Sequence, residues 1–369
     1  MIYLDHAATS WPKPAEVRAA SARAMASLGN PGRGGYPGAM DAAQEVYRCR
    51  RLAGSLFGAT PEQVVFTPSC TFGLNAAIQT LVRPGDTAVI SGFEHNAVLR
   101  PLHARGARVR IAGKRLFDRE DTLAAFRRAI PGAKVVVCTH VSNVFGYILP
   151  IAEIAALCRR EGVPLIIDAA QSAGTLPVSL KELGADFIAM PGHKGLMGPM
   201  GTGILLCARV PDPLVYGGTG VESARRDMPD FLPERMEAGT VNVSGICGLA
   251  AGLGLLRERG TERILRREQD CCRMAANGLK RMGYEVFSGP DQGGVLSFRG
   301  KKDCEEMARW FADHSIWLRA GLHCAPLAHE SAGTFYTGTV RVSFGPDQGQ
   351  AQVRRLLAVA ETGLQKDFS

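Results

Sequence analysis

Between about residues 60 and 210, six short apolar runs recur with helical patterns between them, which leaves few architectures open. The runs are 64–66 (Val-Val-Phe), 88–90 (Ala-Val-Ile), 135–137 (Val-Val-Val), 165–167 (Leu-Ile-Ile), 187–189 (Phe-Ile-Ala) and 203–206 (Gly-Ile-Leu-Leu). Helical periodicity lies between most of them, over Phe72 to Val82, Asp121 to Ala129 and Ile151 to Arg160. Runs that are apolar throughout, as opposed to alternating, belong in strands buried on both faces. The pattern predicts an α/β fold whose large domain is a mainly parallel sheet flanked by helices. After about residue 245 the style changes. A long helical pattern, Gly248 to Gly278, leads to short strands near Val295–Phe298, Ile316–Arg319 and Thr339–Phe344, and a closing helix runs from about Gln348 to Gln365. This predicts a smaller α+β C-terminal domain joined by the extreme N-terminus, with 15–245 as the large domain and 1–14 plus 246–369 as the small one.

Several function classes drop out. No window reaches the ~18 uninterrupted apolar residues of a membrane helix. The N-terminal MIYLDHAATSWPKP has no basic stretch followed by an apolar one. No membrane partner and a cytoplasmic location are expected. Lys+Arg 43 against Asp+Glu 35 gives a net charge of +8, but the cations are scattered. The densest groups (Arg48, Arg50, Arg51; Arg263, Arg266, Arg267) sit in helical context without aromatic neighbours, so they read as solvated faces, and no nucleic acid partner is expected. Ten cysteines without one Cys-x-x-Cys pair signal neither zinc nor a redox centre, and no His/Cys/carboxylate spacing supports a metal. A reducing compartment suits them.

In an open parallel sheet the ligand sits beyond the carboxyl ends of the strands. Five strand ends carry polar groups there: Ser69-Cys70-Thr71, Glu94-His95-Asn96, His140-Val141-Ser142-Asn143, Asp168-Ala169-Ala170-Gln171 and Pro191-Gly192-His193-Lys194. Ser69-Cys70-Thr71 precedes a helix, where free N–H groups and a hydroxyl make an anion cradle or a plain cap. Asp168 directly follows a buried strand, so its carboxylate needs a cation or several donors. Lys194, in a Gly/Pro-rich loop, is either a phosphate binder or an amine of depressed pKa that condenses with an aldehyde. A strand-end Asp, a loop Lys and a helix-start anion site together make the contacts that pyridoxal phosphate needs, at ring nitrogen, aldehyde and phosphate.

Residues 164–203, with Asp168-Ala-Ala-Gln171 and Gly192-His-Lys194 before Gly198-Pro-Met-Gly201-Thr-Gly203, resemble the class V aminotransferase superfamily of fold-type I pyridoxal-phosphate enzymes. Further matches span almost the whole chain: Tyr3-Leu-Asp-His-Ala-Ala-Thr9, Glu94-His95-Asn96, His140-Val-Ser-Asn143, Glu237-Ala-Gly-Thr240, Arg319-Ala-Gly-Leu-His-Cys324 and Thr339-Val-Arg341. Together they resemble the cysteine desulfurases, nearest the SUF-type (group II) branch. The resemblance implies a seven-stranded sheet and a dimer. It implies that Lys194 holds pyridoxal 5'-phosphate and moves protons at the substrate Cα. Asp168 would keep the pyridine nitrogen protonated, Gln171 would bond the ring oxygen, and His95 would stack on the ring and serve in proton transfer. Cys70 (through its backbone), Thr71 and His193 would hold the phosphate, with Thr240 reaching in from the second subunit of a homodimer. Asn143 would sit near cofactor and substrate, and Arg341 would clamp the substrate carboxylate. Cys324 would take the sulfur of L-cysteine as a persulfide and pass it to a sulfur-acceptor protein or small thiol, with His323 and Arg319 favouring its thiolate.

The match has departures. Pro191 stands where relatives offer a hydroxyl to the phosphate, and Leu322 where SUF-type enzymes have a second histidine. His6 is expected to approach the site; His103, His314 and His329 are expected at the surface or in loops. The glycine-rich stretch Gly29 to Tyr36 offers close backbone approach, and its Arg33 is a candidate for an anionic substrate. Two neighbouring activities stay open at this stage. One is a selenocysteine lyase on L-selenocysteine, and the other a class V aminotransferase or lyase without a thiol nucleophile. A nucleotide-binding α/β protein is disfavoured, because neither Gly-x-Gly-x-x-G after the first strand nor a Walker lysine occurs.

Overall fold

The computed structural model describes residues 1–32 and 34–364. Its large sheet has seven strands in the order Val64–Thr67, Gly203–Cys207, Phe187–Pro191, Leu165–Asp168, Val135–Thr139, Thr87–Ser91 and Arg108–Ala112. Only Gly203–Cys207 runs against its neighbours; the other pairings are parallel. The six apolar runs are six of these strands. The seventh, Arg108–Ala112, escapes a search for apolar runs because arginine alternates with valine and isoleucine. It is an edge strand with Arg108, Val109 and Arg110 exposed, and charge on a free edge discourages pairing with another sheet.

The burial of both faces follows from the period-two geometry of a strand. Val89, Val136, Ile167, Ile188 and Leu206 enter one core. Their immediate neighbours Ile90, Val137, Ile166, Phe187 and Leu205 enter another on the opposite side. A third core belongs to the smaller unit and joins Leu4, Leu296, Phe298, Phe311, Ile316, Val342 and Leu356. That unit is built on a four-stranded antiparallel sheet, Arg319–Gly321, Thr339–Ser343, Val295–Arg299 and Glu285–Phe287. The strand expected over 316–319 is split: Ile316–Trp317 leaves this sheet to pair in parallel with Ile2–Tyr3.

The long helical pattern after residue 245 is two helices, Val243–Arg259 and Thr261–Arg281, broken at Gly260, whose φ of 76° is cheap only for glycine. Ile246, Leu249, Leu253 and Leu256 of the first helix sit in the large unit's core, although the sequence reading assigns residues after 245 to the small one. The closing helix is Gln350–Leu364; Gln365 lies outside the described residues. Among the described residues no helix is long and apolar enough to cross a membrane.

The N-terminal segment stitches the units together. Ser343 N–H donates to the Leu4 carbonyl (2.8 Å), Gln171 Nε2 to the Ala7 carbonyl (3.0 Å) and Ser10 N–H to the His193 carbonyl (2.9 Å). Residues 4–10 thus cross the rim of the sheet beside Lys194.

Candidate active site

Asp168 is the last residue of its strand and only 3% exposed. Its Oδ1 accepts the Ala170 N–H at 2.9 Å and the Cys70 thiol at 3.6 Å. The side chain of Cys70 therefore faces the carboxylate, a contact its expected backbone role does not suggest. Burial, and then the Asp168 charge, push that thiol well above its ordinary pKa, so it is protonated. One strand away the loop of Lys194 closes on glycines. A Cβ on Gly192 would stand 2.1 Å from Thr202 Oγ1, and one on Gly195 2.3 Å from the Ala173 carbonyl. The Lys194 amine has no hydrogen bond or ion pair among the described residues. Burial, helped by the Arg341 charge, lowers its pKa against the opposing pull of Asp168 and Cys70. A desolvated, unpaired amine is biased toward its neutral, nucleophilic form.

His95 caps the helix Asn96–Ala104, with Nδ1 accepting the Ala97 N–H at 3.0 Å. That bond puts the ring proton on Nε2. Burial lowers the pKa of the ring, and the charges of Asp168 and Lys194 both act on it, so the three groups lie within reach of one another's charge. Beside Asp168 the helix Cys70–Leu81 begins. Ser69 Oγ accepts the Phe72 N–H at 3.2 Å, which leaves the N–H groups of Cys70 and Thr71 without an intrahelical partner. Gly203 faces this start, where a Cβ would come within 2.8 Å of the Ser69 carbonyl carbon.

Glu94, quoted above only as part of a motif, is fully buried. It accepts from Ser91 Oγ at 2.5 Å and from the Thr139 N–H at 2.9 Å. Burial raises its pKa to about 8. It binds two strand ends together behind His95.

Other expected residues are placed less simply. His193 turns its ring to Thr9 (Nδ1 to Oγ1, 3.1 Å), while its carbonyl accepts from Lys13 Nζ at 2.7 Å. Burial, and then the Lys194 and Lys13 charges, lower the ring's pKa to about 4. Gln171 spends one N–H on the Ala7 carbonyl, 3.0 Å away. Arg341, 3% exposed, donates to Asp5 Oδ1 (2.6 Å) and to the Asn143 carbonyl (3.0 Å), and its Nε is buried without a partner. Asn143 Nδ2 in turn holds the His323 carbonyl at 2.8 Å. Asp5 also takes Arg319 Nε at 3.0 Å. This double pairing is long-range, 314 and 336 residues apart in sequence, and only the fold reveals it. Thr240 is exposed. It lines an outer cavity with Thr67, Pro68, Phe72 and Gly203, a different cavity from the one that Lys194 lines.

Cys324 is exposed while the other nine cysteines are buried. It sits with His323 in left-handed backbone (φ 56° and 49°), and its carbonyl accepts the Asn96 N–H at 2.8 Å. The basic surroundings expected for it need correcting. His323 is buried, its Nε2 lies 3.2 Å from the Thr339 carbonyl, and burial takes its pKa well below the usual value, so it is neutral. Arg319 is committed to Asp5. His329 is not at the surface either: it is fully buried with Nδ1 2.7 Å from Thr334 Oγ1. Arg33 lies outside the described residues.

His6 lines a small cavity of about 50 Å³ with Gln171, Lys194 and Glu268. Glu268 is 7% exposed and has no hydrogen bond or ion pair among the described residues; burial alone raises its pKa to about 8. Nothing in its sequence context marks it.

The donor set fits pyridoxal phosphate. It offers an unpaired amine for the aldehyde, a buried carboxylate for the ring nitrogen, a neutral imidazole for the ring face and free N–H groups for the phosphate. Fold and site together define a fold-type I α/β enzyme. The match to the aminotransferase class-V family model over residues 2–356 shows that the chain belongs to that family. Within it, the relatives are named cysteine desulfurases. A probable cysteine desulfurase of Pyrococcus abyssi is 32% identical, over 98% of this chain and 94% of that protein. The cysteine desulfurase of Thermococcus onnurineus NA1 superposes with a TM-score of 0.93 at 32% identity, covering 99% of this chain and 95% of that one. The cysteine desulfurase CsdA of Escherichia coli gives 0.87 at 28% identity, over 99% and 94%.

Proposed function

We propose that this protein is a pyridoxal-phosphate cysteine desulfurase that converts L-cysteine to L-alanine and carries the sulfur away on Cys324. The observation that carries the reading is a desolvated, unpaired amine (Lys194) within charge range of the Asp168 carboxylate and of His95, with an exposed thiol, Cys324, lining a groove with that same His95. When bound, pyridoxal phosphate supplies an aldehyde and an electron-withdrawing ring that acidifies the substrate Cα–H. Lys194 holds the group and takes and returns the Cα proton. Asp168 keeps the ring nitrogen protonated, and a charge-assisted bond of that kind is worth roughly 1.5–3 kcal/mol. His95 would stack on the ring. Gln171, with an N–H to spare, bonds the ring oxygen, and the starts at Cys70 and Thr71 receive the phosphate. His193 joins them by turning from Thr9. Arg341, held in place by Asp5 and the Asn143 carbonyl, would take the substrate carboxylate, with Asn143 beside it.

The Cys324 thiolate attacks the substrate sulfur. The carbon–sulfur bond breaks, a sulfur–sulfur bond forms, and the carbon takes a proton. The balance is cysteine plus enzyme thiol giving alanine plus enzyme persulfide. The dimer is part of the proposal: Thr240, exposed on the outer side of the helix start at Cys70, serves the phosphate of the second subunit. The test is Cys324→Ala. Alanine and persulfide formation from cysteine should fall by at least a hundredfold while pyridoxal phosphate stays bound. Full activity in the variant would overturn the persulfide role.

A further inference from the structure

Beside Cys324 runs an open groove of about 350 Å³, lined by Thr71, Asn75, His95, Asn96, Arg100 and Cys324 among others. We propose that this groove is the sulfur-acceptor site, that the acceptor is a small thiol bearing a carboxylate, and that Arg100 is its anion anchor. The proposal rests on the persulfide reading above and adds the partner's chemistry.

Three observations carry it. First, Arg100 is exposed and has no hydrogen bond or ion pair among the described residues, in contrast to Arg319 and Arg341, both held by Asp5. It is the cation lining the groove, and a planar guanidinium without a partner is suited to take a carboxylate bidentately. Second, the spacing from anchor to thiol is set by structure. Asn96 and Arg100 are four residues apart on one helix face, and the Asn96 N–H holds the Cys324 carbonyl at 2.8 Å. Third, the volume lies in the small-molecule range of roughly 300–1,000 Å³. Of the other groove residues, Thr71 belongs to the helix start that the cofactor phosphate takes up, and the rest compete weakly for an anion. His95 is kept neutral by burial, and the Asn75 amide already donates to the Thr71 carbonyl at 2.8 Å.

The chemistry balances without a further reactant. The acceptor thiolate attacks the outer sulfur of the Cys324 persulfide. The bond between the two sulfurs breaks, Cys324 leaves as thiolate, and the new sulfur–sulfur bond is on the acceptor, which keeps the outer sulfur's proton. No net oxidation occurs.

Two readouts test the anchor. Because Cys324 is the exposed cysteine, its alkylation rate can be followed by mass spectrometry with anionic iodoacetate and neutral iodoacetamide, without turnover. Arg100→Met should lower the iodoacetate-to-iodoacetamide ratio about tenfold, the size of one charge-assisted contact, and Arg100→Lys should restore part of it. In the holoenzyme, kcat/KM for mercaptopropionate should fall similarly in Arg100→Met, while that for mercaptoethanol, and the single alanine released per site before acceptor is added, stay as in wild type. An unchanged labelling ratio overturns the anchor, as does a wild-type persulfide that transfers equally to both thiols or only to a protein acceptor. Loss of the alanine burst in wild type would instead refute the persulfide reading and leave the labelling ratio to judge the groove.

Discussion

Glu268 carries a cost that can be measured. Its carboxyl is 7% exposed, has no partner among the described residues and titrates at about 8 in the fold against 4.5 when free. A carboxyl whose folded pKa is raised binds its proton more tightly folded than unfolded. Below about pH 4.5 both states are protonated and there is no cost. The penalty grows as pH rises from there and levels off above about 8. With each unit worth about 1.4 kcal/mol, the 2.5 units between 4.5 and pH 7 amount to roughly 3 kcal/mol at neutrality. Glu268→Gln keeps the shape and removes the titration. It should unfold like wild type at pH 4.5 and be more stable by about 3 kcal/mol at pH 7, with a larger gap at pH 8.5. Urea unfolding followed by tryptophan fluorescence is the assay, read as the midpoint at constant slope. Trp11, Trp310 and Trp317 all report on the smaller unit and the N-terminal segment: Trp11 and Trp317 lie 5.7 Å apart, and Trp310 packs against the core that holds Phe311. A pH-independent difference, or a variant less stable at every pH, would mean that the carboxyl is paired and would refute the reasoning.

Arg50→Met should be among the most damaging changes outside the site. Arg50 and Glu237 form a buried two-pronged pair at 2.8 Å for each contact, and Glu237 also accepts the Phe66 N–H. Removing the arginine strands a buried carboxylate and should cost about 3–5 kcal/mol. Chemical denaturation checks it, and a loss below about 1 kcal/mol would show the pair to be solvated. Lys194→Ala should abolish the yellow colour that borohydride bleaches, and peptide mapping of reduced wild type should find the label at residue 194. With the cofactor removed from both proteins, the variant should unfold no earlier than wild type, since it removes a desolvated amine without a partner. Label retained elsewhere in the variant would end that assignment.

Which parts were legible beforehand follows from the range of the interactions. The unbroken valine and isoleucine runs announce strands buried on both faces because side-chain alternation is local, and the residues at their carboxyl ends announce the site because parallel strands end together. Asp168, His95 and Lys194 could therefore be picked out as candidates from the strand ends, and Cys324 from the stretch 319–324 that resembles the family's. The edge strand Arg108–Ala112 could not, because its alternation with arginine serves solvent and not a core. Gly260 splits a helix whose periodicity continues on both sides.

What remained hidden depends on contacts between distant segments. Asp5 between Arg319 and Arg341, Cys70 facing Asp168, the neutral His323 and the solitary Glu268 are all products of desolvation and proximity. Charge, pKa and partner are properties of a place in the fold. The order of residues determined which groups arrive at the rim, and only the packing of the two units decided which are paired, which are neutral, and which, like Arg100, are left free to bind.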